Sequence, residues 1–176
     1  MTDAILVRHG ATRWTGDRYC GRSDPWLTAD GRTAIASMAD ELAHVVEPGI
    51  RVVTSPARRA RQSAAWIARA VDGHVDVDDR WRETDFGAAE GLTWARLERR
   101  FPAIATAIAT GHLVDWPDGE RATDLRGRVL DAWADLVERD EPVIVVSHGG
   151  PLRIIAARHP APEPARWLRL PLRPAR

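Results

Sequence analysis

Short runs of β-branched and aliphatic residues alternate along this chain with stretches in which apolar residues recur every three or four positions, and that alternation predicts an α/β sheet. The runs "AILV" (residues 4–7), "RVVTS" (51–55), "HVDVD" (74–78) and "PVIVVS" (142–147) read as strands. A fifth and weaker run, "RWLRLPL", reads as an edge strand, because Pro171 has no N–H to give a central ladder. Helical periodicity begins after Thr28, a good N-cap, and places Ile35, Met38, Leu42 and Val45 on one face. A second helix over about residues 56–71 turns Ala60, Ala64 and Ile67 inward, and a third from about Thr123 does the same with Leu125, Val129, Trp133 and Leu136. By the same spacing Trp66 and Trp133 fall at packing positions. Between these helices, "LTWARLERRFPAIATAIATG" predicts two short helices, broken at Pro102 and capped at Gly111. The segment reads as a small helical insertion over the sheet, at about residues 91–120.

The polar residues that interrupt this pattern gather in one place. "RHGATRW" follows the first strand, "TSPARRA" the second and "SHGGP" the last strong one, so three clusters stand at C-terminal strand ends. In open α/β sheets that edge is where ligands bind. Ser55 reads as an N-cap with Pro56 at N1, and Gly150 precedes Pro151 at another N1. Helix N-termini expose unpaired N–H groups and therefore favour an anion. Arg8, Arg58, Arg59, His9 and His148 are added to the same edge, and an arginine fork can bond two phosphate oxygens at once. The set reads as a phosphate cradle.

Charge and composition then narrow the partner. The chain of 176 residues carries 25 basic and 25 acidic side chains, for a formal net charge of zero. Such a balance supplies no field for a nucleic-acid backbone or an anionic membrane, so the expected partner is a small molecule met by local cations. With 44% hydrophobic and 28% charged residues, the sequence is that of a folded protein, expected to form one domain over residues 1–176. No apolar run approaches the length that spans a bilayer, and the N-terminal residues lack a signal-peptide pattern. Cys20 is the single cysteine and reads as a packing residue. A cytoplasmic location is the expectation, and homo-oligomerisation is left open.

A cradle alone does not cleave a phosphate ester, whose enzymic acceleration approaches ~10²¹-fold. His9 and His148 lack the neighbouring carboxylates of a two-metal site, and no paired-cysteine or HExxH spacing occurs. Covalent catalysis is the alternative, since a side-chain nucleophile divides one hard displacement into two easier ones. A neutral imidazole at His9, on a tight Gly10 turn between arginines, suits that task. The leaving oxygen needs a proton, and the loop "WRETDFGAAEG" offers Glu83, Asp85 and Glu90 as donors. Spacing does not choose among the three.

Taken together, "LVRHGATRW", "GRSDPWLTADGR", "TSPARRARQSA", "RETDFGAAEGLTW", "PDGE" and "VVSHGGPLR" resemble the histidine phosphatase, or phosphoglycerate mutase-like, superfamily over most of residues 4–153. The resemblance implies a three-layer α/β/α sandwich with a mostly parallel sheet. It implies that His9 is phosphorylated, that Arg8, Arg59 and His148 bind the phosphoryl group, and that Glu83 is the proton donor, with no metal or organic cofactor. On the phosphate side the implied set is Arg8, Thr15, Gly21, Arg59, His148 and Gly149. The chain departs from the family's frequent pattern at Ala11, Thr15 and Arg121, where glutamate, asparagine and serine are common. The segments around the pocket are short, which favours net hydrolysis over a mutase. "CGRSD" and "FGAAEGLTW" look like stretches of α-ribazole 5′-phosphate phosphatases of cobalamin synthesis, and Trp14, Trp26, Trp94 and Trp116 would then wall an aromatic base. Other readings are a broad-specificity or sugar-phosphate phosphatase, a phosphoglycerate mutase, and a non-catalytic phospho-ligand-binding module.

Overall fold

Alternation along each strand decides how the layers form. The computed structural model describes residues 3–158 and the backbone of residues 167–171. Strands β1 (Asp3–Arg8), β2 (Arg51–Thr54), β3 (His74–Val77), β4 (Val143–Ser147) and β5 (Trp167–Pro171) form one sheet in the order β3-β2-β4-β1-β5. The first four are parallel, and β5 closes the edge antiparallel to β1, with Pro171 opposite Asp3. The rest of the Pro- and Arg-rich tail lies outside the described residues.

Ile5, Val7, Val52, Ile144 and Val146 point to one face and pack with α1 (Ala29–Ala43) and α2 (Arg58–Ala70). Their neighbours Ala4, Leu6, Val53, Val143 and Val145 point to the other face and pack with α5 (Ala122–Arg139) and α6 (Gly149–Ala156). A period of two on strands covered on both faces yields the α/β/α sandwich. Between α2 and α5, α3 (Trp94–Arg100) and α4 (Pro102–Ala109) break at Pro102, and Gly111 follows with φ of 81°. Leu97 and Ala105 from these helices join Ala89, Tyr19, Phe86 and Trp116 in a separate small cluster.

Several expectations about helix ends need correction. Thr28 does cap α1, accepting from the Gly31 N–H at 3.0 Å, and Ile35, Met38 and Leu42 are buried. The helix closes at His44, however, and Val45 lies beyond it, 44% exposed. Ser55 does not cap α2, which starts two residues later behind Ala57; its Oγ instead accepts from the Ala57 N–H at 3.2 Å. Helix α6 begins at Gly149 with His148 as its extended cap residue, so Pro151 is the third helical position and not the first. Ala60, Ser63, Ala64, Ile67 and Ala68 make the buried stripe of α2, and Trp66 stands off it, 44% exposed.

Candidate active site

The turn after β1 is held from three sides. His9 donates its N–H to Ser147 O at 3.0 Å, tying it to β4, and Gly10 donates to Ser63 Oγ on α2, also at 3.0 Å. A Cβ on Gly10 would lie 2.6 Å from Gly31 O, so only glycine passes beneath the start of α1. The His9 ring follows from this backbone: Nδ1 stands 2.7 Å from Gly10 O. A carbonyl only accepts, so Nδ1 carries the proton and the neutral ring keeps its lone pair on Nε2. Arg59 Nε points at that Nε2 from 3.3 Å. Burial, reinforced by the charges of Arg59 and Arg8 and opposed by the bond to Gly10, pulls the His9 pKa down to about 3. The ring is neutral throughout the physiological range.

Arg59 is 1% exposed, and its fork is fully engaged with the chain at residues 20–23. Nη1 donates to Ser23 O at 2.7 Å, and Nη2 donates to Cys20 O at 3.0 Å and Gly21 O at 3.1 Å. Glu90 secures the same loop from the other side, accepting from the N–H groups of Gly21 and Ser23 at 3.0 Å each. The Gly21 N–H is therefore already bonded, and its part in the site is to hold Arg59 through its carbonyl. Burial pushes the neighbouring Cys20 thiol up to about 11, the opposite of an activated nucleophile.

His148 is completely buried, with its ring centroid 5.0 Å from that of His9 in an edge-on arrangement. Its Nε2 meets Ser55 Oγ at 2.7 Å, and its Nδ1 has no partner. Burial and the charges of His9 and Arg59 hold its pKa well below the ordinary value. Arg8 has no side-chain partner among the described residues, and its guanidinium carbon lies 3.9 Å from where a Cβ on Gly149 would stand.

Glu83 is the carboxylate that turns inward. Its Oε1 accepts from Thr84 N at 2.9 Å and from Gly150 N at 3.1 Å. A Cβ on Gly150 would collide with Oε1, so glycine is required there. Burial raises the Glu83 pKa against the two backbone bonds and the charges of Arg59 and Arg8. Asp85 and Glu90 are not brought to His9: Asp85 pairs with Arg22 at 3.1 Å, and Glu90 is taken by the loop at residues 21–23.

Arg8, His9, Thr15, Glu83 and Gly149 line one cavity of about 230 Å³. Trp14 and Trp116 line it with them, together with Ile108, Leu113 and Val114 from the segment around α4, whereas Trp26 and Trp94 do not. Thr15 Oγ1 is bonded to Thr12 N at 2.9 Å and stabilises the turn there. Arg58 stacks on Trp26 with 4.3 Å to the ring centroid, and exposed Arg121 is also outside the lining. Arg153, one helical turn beyond Gly149, and His112 line the cavity unanticipated. Ser63 and Arg128 are two further residues that the sequence did not mark, each acting through the backbone of a site residue. Among the described residues no group of three His, Cys, Asp or Glu side chains could hold a metal ion, and no helix is long and apolar enough to cross a membrane.

The pattern of the histidine phosphatase superfamily (branch 1) matches residues 4–176. The chain belongs to that superfamily. A bifunctional protein of Mycobacterium tuberculosis is 37% identical over 158 residues, which are 88% of this chain but 43% of that protein, so the chain spans less than half of that relative. Among solved structures, a mycobacterial glucosyl-3-phosphoglycerate phosphatase superposes with a TM-score of 0.77 at 30% identity, over 89% of this chain and 78% of the other. A candidate alpha-ribazole-5'-P phosphatase from Escherichia coli superposes with a TM-score of 0.74 at 26% identity, over 89% and 78%.

Proposed function

We propose that this histidine phosphatase family member is a metal-independent phosphatase that hydrolyses a small phosphate monoester through a phosphohistidine on His9. The observation that carries the reading is the pairing, at one cavity, of a neutral His9 whose Nε2 is the unprotonated nitrogen with a buried Glu83 whose raised pKa favours the protonated acid. In the first step the Nε2 lone pair attacks phosphorus, the ester P–O bond breaks, and the leaving oxygen takes the Glu83 proton. In the second, water attacks phosphorus, Glu83 takes its proton, and the P–N bond breaks to return His9 and release phosphate. Arg8 and the Gly149 N–H supply donors to the phosphoryl oxygens, joined by His148 Nδ1 when Ser55 donates to Nε2 and leaves the proton on Nδ1. Arg59 moves its Nε–H from the nucleophile to the incoming oxygen.

A second reading concerns the leaving group. Trp14 and Trp116 on the cavity wall support a flat aromatic base, and α-ribazole 5′-phosphate in cobalamin synthesis is the proposed substrate of that kind. Rapid quench with ³²P-labelled substrate tests the chemistry: an acid-labile, base-stable phosphoenzyme should form and decay at the turnover rate, in the presence of excess chelator. Turnover without such a species, or turnover that stops with chelator and returns with a divalent ion, overturns the reading. A panel of sugar phosphates with and without a base, α-ribazole 5′-phosphate included, decides the leaving group.

A further inference from the structure

Arg128, on α5, lies outside the cavity, yet all five of its N–H groups have acceptors. Nε donates to Glu120 Oε1 at 2.6 Å, and Nη1 donates to Arg80 O at 2.6 Å and Arg82 O at 2.8 Å. Nη2 donates to Glu120 Oε2 at 2.9 Å and Glu83 O at 3.3 Å. Three of these acceptors are main-chain carbonyls of the segment that delivers Glu83, so the guanidinium acts as a template for its backbone. A lysine could not reproduce this, because one ammonium cannot fork across three carbonyls and a carboxylate.

Glu120 carries the connection further. It donates its own N–H to Asp85 O at 2.9 Å and accepts from the Asp85 N–H at 3.2 Å, bonding to the residue two places after Glu83. Its carbonyl accepts from the Trp116 N–H at 3.1 Å, and Pro117 O accepts from the Ala88 N–H at 2.8 Å. Trp116, with Leu113 and Val114 just before it, lines the same cavity as Glu83. The ion pair is only 19% and 11% exposed at its two side chains, so water competes weakly for it.

We infer that Arg128, clamped by Glu120, is the positioning residue for the acid step: it fixes the Glu83 main chain so that the carboxyl reaches the Thr84 and Gly150 N–H groups and the ester oxygen, and it joins that acid to the wall that holds the leaving group. The inference rests on Glu83 being the proton donor of a phosphatase. Two other interpretations of the pair, a stabilising ion pair alone or a surface contact without function, predict different kinetics.

The experiment compares Arg128→Met, Glu120→Gln and Glu83→Gln with the unmodified protein, using p-nitrophenyl phosphate and glycerol 1-phosphate in single-turnover assays. A ¹³C NMR titration of the Glu83 carboxyl accompanies the kinetics. Arg128→Met should lower the single-turnover rate of the first step on the alkyl ester about 100-fold and on the aryl ester less than about fivefold, with the half-saturating substrate concentration within about twofold, because in that step only the alkyl leaving group depends on the acid. Glu120→Gln, which keeps an acceptor for Arg128, should show the same selectivity at about tenfold. The Glu83 titration should move down toward the ordinary glutamate value of 4.5 as its carboxyl reaches water. Equal losses on both esters, or a lowered melting temperature with unchanged selectivity and an unchanged Glu83 titration, would overturn the proposal. If neither ester is hydrolysed by the unmodified protein, or Glu83→Gln shows no dependence on leaving group, it is the phosphatase reading that fails. The Glu83 titration still decides the positioning role in that case, and an unchanged value rejects it. Should Arg128→Met fail to fold, the same two readouts on Glu120→Gln decide.

Discussion

The two halves of the cavity are built on different principles. At the phosphate half, His9 and Glu83 line the cavity, Arg59 and His148 stand against His9 outside the lining, and each of these four is fixed by bonds to the protein itself, whereas Arg8 has no side-chain partner among the described residues. The rest of the lining includes Trp14, Ile108, His112, Leu113, Val114 and Trp116, which are half-buried or exposed, and Leu113 is 48% exposed. On the proposed function, the difference separates chemistry from recognition. Groups that must meet developing charge need no reorganisation when they are preset, and low dielectric strengthens them. Groups that meet a varied leaving group contribute area and shape, which change with few consequences for the fold.

The largest test of that division is His9→Ala. Losing the proposed nucleophile should lower turnover by at least about 10⁴-fold and abolish formation of an acid-labile phosphoenzyme, with the circular dichroism spectrum unchanged. Near-native turnover would move the chemistry away from the RHG turn altogether. Next in size is Arg59→Ala, expected to lower kcat by about 10³-fold, since a preset donor to the phosphoryl oxygens matters most in the transition state. A change confined to KM would reduce Arg59 to a binding group. Arg59→Lys should rescue little, because an ammonium has three N–H donors and cannot serve the carbonyls of Cys20, Gly21 and Ser23 and also present one to the phosphoryl oxygen as Nε does.

Glu83→Gln should follow, with about 10²-fold lost in the first step on an alkyl phosphate and far less in the first step on an aryl phosphate. Its pH dependence has a definite sign. Only the protonated acid donates, so first-step rates on alkyl phosphates fall as pH rises through the raised Glu83 pKa, and that alkaline limb vanishes in Glu83→Gln. The same shift acts on stability. A carboxyl with a raised folded-state pKa holds its proton more tightly than the unfolded chain, so its contribution is present below about 4.5 and is lost as pH rises through the folded value. Melting temperatures of Glu83→Gln should therefore decline less with rising pH than those of the unmodified protein. His9 adds no acid limb until pH approaches its own value of about 3. Equal alkaline limbs in the two proteins would assign that ionisation to another group.

How much of this was legible follows the same division. The phosphate half lies in contiguous strand–turn–helix segments, where strand periodicity marks the edge and the following polar residues fall on it. RHG, TSPARRA and SHGGP were readable for that reason. What failed there were details that depend on side-chain packing: Ser55 reads locally as a cap, but its hydroxyl serves the turn at Ala57 and the ring of His148. The choice among Glu83, Asp85 and Glu90 could not come from spacing. It depends on partners distant in sequence, with Arg22 taking Asp85, the 21–23 loop taking Glu90, and Gly150 leaving room for Glu83. Helical periodicity does not distinguish Arg128 from the other charges of its helix, nor Ser63 from the other small residues of α2. The aromatic wall was half legible, because a tryptophan's position in sequence does not say which way its ring turns; Trp26 went to Arg58 instead of the cavity.

A milder change probes the apolar wall alone. Leu113→Ala trims the wall without touching any bond of the phosphate half, and its partial exposure limits the apolar area it can contribute. On the usual scale for apolar burial, the loss should be about three- to tenfold in kcat/KM for an organic phosphate. Dephosphorylation is the discriminating step. By the time water attacks the phosphohistidine the leaving group has gone, so the wall has nothing left to hold and the second-step rate should equal that of the unmodified protein. Pre-steady-state decay of labelled phosphoenzyme measures that rate alone. If Leu113→Ala slowed it as much as the first step, the wall would be shaping the water or the acid itself, and the two halves could no longer be assigned separate tasks.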